Sequence, residues 1–116
     1  MIQRRSRRVL LRIPVSLLVG QDPPVPGVTA IVNRHGALAS SPIQLEEGTI
    51  LWIRNELSLE AARCRVVYVG PTGPGDERRL GIDFVDGAPT FWGSAYDDAL
   101  VTEIAQQGDL ESDIVG

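Results

Sequence analysis

The 116-residue sequence predicts a mainly β protein, a small antiparallel barrel or sandwich of about six short strands followed by a C-terminal α-helix. Three observations carry that reading. Apolar residues recur at every second position in several short runs, the signature of strands with one buried face. Glycine- and proline-rich turns punctuate those runs at short intervals. The spacing becomes helical only beyond Gly87.

The first run, Val9 to Leu17, alternates Val9, Leu11, Ile13, Val15 and Leu17 with Leu10, Arg12, Pro14 and Ser16. Pro14 has no donor for a ladder, which places it at an edge or beside a bulge. Residues 22–27, Asp-Pro-Pro-Val-Pro-Gly, read as a turn-rich loop. Val28 to Val32 is a second strand, ended by Asn33-Arg34-His35-Gly36, where Gly36 suits a positive φ. Ala37 to Ala39 resume a strand. Thr49 to Arg54 form another, with Ile50 and Trp52 on one face, Leu51 and Ile53 on the other, and Trp52 assigned to the core. Asn55 to Ser58 make a hairpin connection. The longest strand spans Glu60 to Val69, with Ala62, Cys64, Val66 and Tyr68 inward and Arg63 and Arg65 outward. Gly70 to Asp76 form a loop, and Arg79 to Val85 a last strand with Leu80, Ile82 and Phe84 inward. Phe91-Trp92 suits a plug over one mouth of a barrel. Ser94 with Asp97 resembles a capping box, Tyr96, Leu100, Val101 and Ile104 make a helical stripe that packs on the barrel, and Gly108 stops the helix.

Charge is distributed unevenly. All eleven cations are arginine. Residues 1–12 carry +5, residues 83–116 carry −8, and the whole chain −4. The hydrophobic share of 43% and charged share of 22% are those of a soluble globular domain. The apolar run from Ile13 to Val19 falls far short of the ~20 residues that span a bilayer, and the first residues lack a signal-peptide pattern. Cys64, the one cysteine, has no disulfide partner within the chain, and a reducing cytoplasm is the plain inference.

Enzymatic constellations are scarce, and no catalytic residue is assigned. The only histidine, His35, sits in a tight turn and reads as solvated. Cys64 reads as a small core residue. A P-loop is excluded by the missing lysine, and the acids lack metal-loop spacing, so neither a metal nor a cofactor is expected. The strongest local signal is Arg4-Arg5-Ser6-Arg7-Arg8 immediately before the first strand. Guanidinium groups bind phosphate oxygens bidentately and stack on flat bases. A solvated basic lead-in is the plainer reading of the same residues. The acidic remainder argues against DNA or RNA as the partner.

The spacing Arg4-x-x-x-Arg8 running into Val9-Leu10-Leu11-Arg12-Ile13-Pro14-Val15 resembles the start of a PilZ domain. The likeness continues through the turn ending at Gly36 with Ala37-Leu38, and through Leu80-Gly81-Ile82-Asp83-Phe84, covering roughly residues 4–93. The resemblance implies a six-stranded β-barrel with a C-terminal helix and a non-enzymatic module binding the bacterial second messenger cyclic di-GMP. It divides the chain into a flexible arm at 1–8, a barrel at 9–93, a helix at 94–108 and an acidic tail at 109–116.

Arg4, Arg5 and Arg8 would then hold phosphates and stack on guanine, the arm ordering over the barrel as the ligand binds. The family's second motif, [D/N]-x-S-x-x-G, falls on residues 31–36. Gly36 matches, but Ile31 stands at the acid or amide position and Asn33 at the serine position. Asn33 retains an amide for guanine or phosphate. Two lost hydrogen bonds at roughly 1–2 kcal/mol each would weaken binding on the order of 30- to 1000-fold. Two readings therefore compete: a cyclic di-GMP receptor, and a degenerate domain that binds no nucleotide and acts as a protein-interaction adaptor.

Overall fold

The computed structural model describes residues 8–88, 90–93 and 96. Arg4, Arg5, most of the helix expected at 94–108 and the acidic tail at 109–116 lie outside the described residues. Seven strands follow in order: β1 (Val9–Leu10), β2 (Pro14–Leu18), β3 (Val25–Asn33), β4 (Gly36–Ser41), β5 (Ile50–Asn55), β6 (Ala61–Thr72) and β7 (Arg78–Phe84).

All pairings are antiparallel. The order β3-β2-β5-β6-β7-β4 closes on itself because β4 also pairs with β3, which makes a six-stranded barrel. The short β1 extends the β2 side of β3. Closure leaves no long open edge, and barrel is thus the outcome among the two architectures expected from strand spacing.

Alternation dictates what fills the barrel. Val9, Ile13, Val15 and Leu17 enter from the first run, Leu51 and Ile53 from β5, Ala62, Cys64 and Val66 from β6, and Leu80 and Ile82 from β7. Burial pushes the Cys64 thiol up to about 12, as expected of an apolar core position rather than a nucleophile.

The first run is one strand interrupted at residues 11–13. Leu10 pairs with Ile31 and Pro14 with Val28, so the run holds one residue more than β3 over this stretch. Thr29 repairs the interruption. Its hydroxyl accepts from the Ile13 N–H (2.8 Å) and donates to the Leu11 carbonyl (2.6 Å). Pro14 therefore stands beside a bulge, as its missing donor requires.

Several boundaries differ from expectation. β3 begins at Val25, taking in Pro26 and Gly27 from the presumed loop. The Pro26 carbonyl accepts from Ser41 Oγ (2.8 Å), and the residue lies beyond the last β3–β4 ladder pair, Val28 with Ser40, so its missing N–H costs no ladder bond. β6 runs on to Thr72, which shortens the presumed 70–76 loop to a single turn of 3₁₀-helix at Pro74–Asp76.

Trp52 is not core. It stays 50% exposed on the outer face, since Leu51 and Ile53 take the inner one. Tyr68 also points outward, at 48% exposure. Val66 pairs with Ile82 but Tyr68 with Gly81, so Val67 is an extra residue that turns the alternation over.

One barrel mouth is plugged. Phe91 and Trp92 are buried and meet edge to face with centroids 4.7 Å apart, and Phe84 lies 5.1 Å from Phe91. Asn55, buried, donates Nδ2 to the Phe91 carbonyl (2.8 Å) while its Oδ1 accepts from the Leu57 N–H (2.9 Å) in the β5–β6 turn. Tyr96, the one described member of the expected helical stripe, is buried against the same core.

Candidate functional site

Cross-strand register builds the site from residues far apart in sequence. Across the outer face of the barrel, Leu10 pairs with Ile31, Ile31 with Leu38, Leu38 with Gly81 and Gly81 with Tyr68. One ladder step away, Asn33 pairs with Gly36, Gly36 with Asp83 and Asp83 with Arg65. Carrying the β1 register back by one residue places Arg8 level with Asn33. The first row is apolar with a glycine trough; the second is polar and carries charge of both signs.

A groove of about 370 Å³ lies over these two rows. Arg8, Ile31, Asn33 and Gly36 all line it, so four positions singled out from the sequence converge on one concavity. Arg8 is exposed at its rim. Tyr68, Leu38, Gly81 and Asp83 are among the other lining residues, and none of these was assigned to a site from sequence. Their signal was register, which no local motif displays.

The turn between β3 and β4 is held rigidly. Asn33 Oδ1 accepts from the His35 N–H (2.8 Å), an Asx turn. The Asn33 carbonyl accepts from Trp92 Nε1 (2.8 Å), and the His35 carbonyl from the Phe84 N–H (2.8 Å). Asn33 thus spends its side-chain oxygen on turn geometry and leaves the NH₂ end of the amide as its donor toward a ligand.

Gly36 is needed for a different reason than expected. Its φ is not positive. A Cβ there would stand 1.9 Å from the Ile82 carbonyl oxygen, so the glycine lets β4 and β7 approach. Tyr68 is set in the same manner. A Cβ at Gly81 would lie 3.0 Å from Tyr68 Cβ, and one at Gly70 3.2 Å from its hydroxyl, so the ring lies down over bare backbone.

Beyond Tyr68 a second groove of about 450 Å³ is lined by Ser40, Pro71, Glu77, Arg78 and Arg79. Among the described residues, no cluster of three or more His, Cys, Asp or Glu could hold a metal, and no helix is long and apolar enough to cross a membrane.

No family model matches the chain, and no curated protein matches its sequence. Its fold is similar to that of a solved structure, the PilZ domain with c-di-GMP of YcgR from Escherichia coli. The TM-score is 0.65 and the identity 12%, over 95% of this chain and 98% of that one. The barrel is therefore PilZ-like in fold, and the sequence likeness is confined to short motifs.

Proposed function

We propose that this chain is a PilZ-like, non-enzymatic receptor or adaptor module that takes cyclic di-GMP in the groove between Arg8 and Tyr68. The observation that carries the reading is that Arg8 shares one concavity of the outer face with Asn33 and Gly36, a turn pair more than twenty residues further along the sequence. The chemistry suits an anionic, planar ligand. Arg8 supplies a guanidinium for a phosphate, with Arg4 and Arg5 preceding it in sequence. The apolar row at Ile31, Leu38 and Tyr68 supplies a surface for bases. The YcgR domain, whose structure contains c-di-GMP, supports the same reading at the level of fold.

In this account the arginine arm closes over the groove on binding and changes the surface offered to a protein partner in the cytoplasm. Titration calorimetry with cyclic di-GMP tests it. A saturable heat that vanishes in Arg8→Ala is expected, and no heat at micromolar ligand rejects the receptor reading.

One observation favours the alternative, an adaptor that binds no nucleotide. Ile31 lines the groove where a carboxylate or amide would meet a base, and Asn33 Oδ1 is already engaged with His35. Binding that is absent in the native chain and created by Ile31→Asp with Asn33→Ser supports that alternative. Tight binding by the native chain rejects it.

A further inference from the structure

We infer that the groove carries a substitute for the missing turn carboxylate: Asp83, on β7, reads the edge of a guanine whose face lies on Tyr68. The inference rests on the proposed cyclic di-GMP site and specifies which of its residues recognise the base.

Asp83 faces the groove because β7 alternates. Leu80 and Ile82 are buried in the barrel, so Arg79, Gly81 and Asp83 point outward. Its pairing with Gly36 sets it directly across from the β3–β4 turn, in the same row as Asn33. No side chain rises from Gly36 to screen it. A carboxylate there is a matched acceptor pair for guanine, whose Watson–Crick edge presents the N1–H and N2–H donors side by side. Adenine offers no such pair of donors. Asp83 already has an interaction partner in the free protein, so the ligand exchanges one partner for another.

Tyr68 is aimed by the bulge at Val67, without which it would be a core residue. Gly70 and Gly81 keep the space beneath its ring clear, and the residue stays 48% exposed. Gly81, over which the Tyr68 Cβ lies, is two residues or ~7 Å along the strand from Asp83, and the ring runs on from there toward Gly70, so a base whose edge meets Asp83 spans at least that distance to reach the ring. The polar row thus reads the edge while the apolar row holds the face. The role lost at Ile31 on β3 reappears two strands over, on β7.

The test is titration of the full chain with cyclic di-GMP, cyclic di-IMP and cyclic di-AMP, for the native protein and for Asp83→Asn, Tyr68→Phe and Tyr68→Leu. Thermal melts confirm that each variant is folded. Asp83→Asn is expected to weaken cyclic di-GMP binding about 10- to 100-fold and to leave cyclic di-AMP unchanged or tighter. Tyr68→Leu, which still covers the glycines, loses roughly 5- to 100-fold, and Tyr68→Phe stays near native.

The native chain alone gives a readout that needs no variant. Cyclic di-IMP lacks the N2 amine and binds about tenfold more weakly than cyclic di-GMP. If the native protein binds cyclic di-GMP but Asp83→Asn stays within about twofold of it, the inference falls and the proposed function stands. Equal native affinity for cyclic di-IMP and cyclic di-GMP has the same meaning. If the native protein binds none of the three, both fall together.

Discussion

Replacing Gly36 by alanine tests why a glycine stands at the floor of the groove. The added Cβ would lie 1.9 Å from the Ile82 carbonyl oxygen and 3.1 Å from Asp83 Cα, both fixed backbone atoms. Carbon and carbonyl oxygen rest no closer than about 3.3 Å, so β4 and β7 must part locally by more than about 1 Å. That displacement strikes the Phe84 N–H to His35 carbonyl bond and the Gly36–Asp83 and Ala37–Ile82 pairs at the head of the ladder. Losing two or three such bonds at ~1 kcal/mol each gives a cost of about 3 kcal/mol. A domain of this size loses about 4 °C of Tm per kcal/mol, so the melt should fall by roughly 12 °C.

Gly48→Ala is the control. Its φ is +91° and nothing lies within 4 Å of the new Cβ, so only backbone strain applies. That is worth about 1 kcal/mol, or roughly 4 °C. Thermal denaturation followed by circular dichroism compares the two. A Gly36→Ala protein that melts at or above the Gly48→Ala protein would refute the close-approach explanation.

Thr29→Val removes the hydroxyl that bridges Leu11 and Ile13 while keeping the shape, leaving a buried N–H unpaired, and should destabilise by about 2 kcal/mol in urea unfolding. Thr29→Ser, which keeps the hydroxyl, should lose only about 1 kcal/mol. Acrylamide should quench the fluorescence of Trp52 and spare Trp92, so Trp52→Phe should leave a protected, blue-shifted emission. Cys64 should resist thiol reagents at neutral pH until the chain unfolds. Its raised folded-state pKa adds stability that is present in full below about 9 and lost as pH rises toward about 12, so alkaline urea melts should show a falling midpoint that Cys64→Ala removes.

Most of the barrel was legible because period two is a local property. Val15, Leu17, Leu80 and Ile82 are buried where alternation put them, and Pro14 announced an irregularity beside it. The plug at Phe91 and Trp92 was also legible, since two adjacent aromatics a few residues beyond the last strand have nowhere drier to go. Trp52 was misplaced because Ile50 to Ile53 is apolar on both faces, and period alone cannot then choose the inner one. Tyr68 was misplaced because a bulge among apolar β-branched residues has no compositional mark: Val66-Val67 reads as unbroken strand. Pro26 and Gly27 looked like loop because their composition is that of a turn, while their pairing with Ser16 and Val15 of β2 is visible only in three dimensions.

The site shows the same division. Arg8, Asn33 and Gly36 were candidates through a family resemblance carried by short segments, and the structure brings them to one groove. Asp83 and Tyr68 entered only through register, which couples β7 to β4 and β6 over long sequence separations. Motif spacing reports the half of a site that is local in sequence. Here the positions it reached lack a carboxylate, and the groove they line has one at Asp83.

The measurement that tests the account most directly is titration calorimetry of the intact native chain with cyclic di-GMP. A saturable heat at micromolar ligand, weakened by salt and abolished by Arg8→Ala, is the predicted result. No heat at that concentration would contradict the receptor reading and leave the barrel as a PilZ-like fold whose groove serves another purpose.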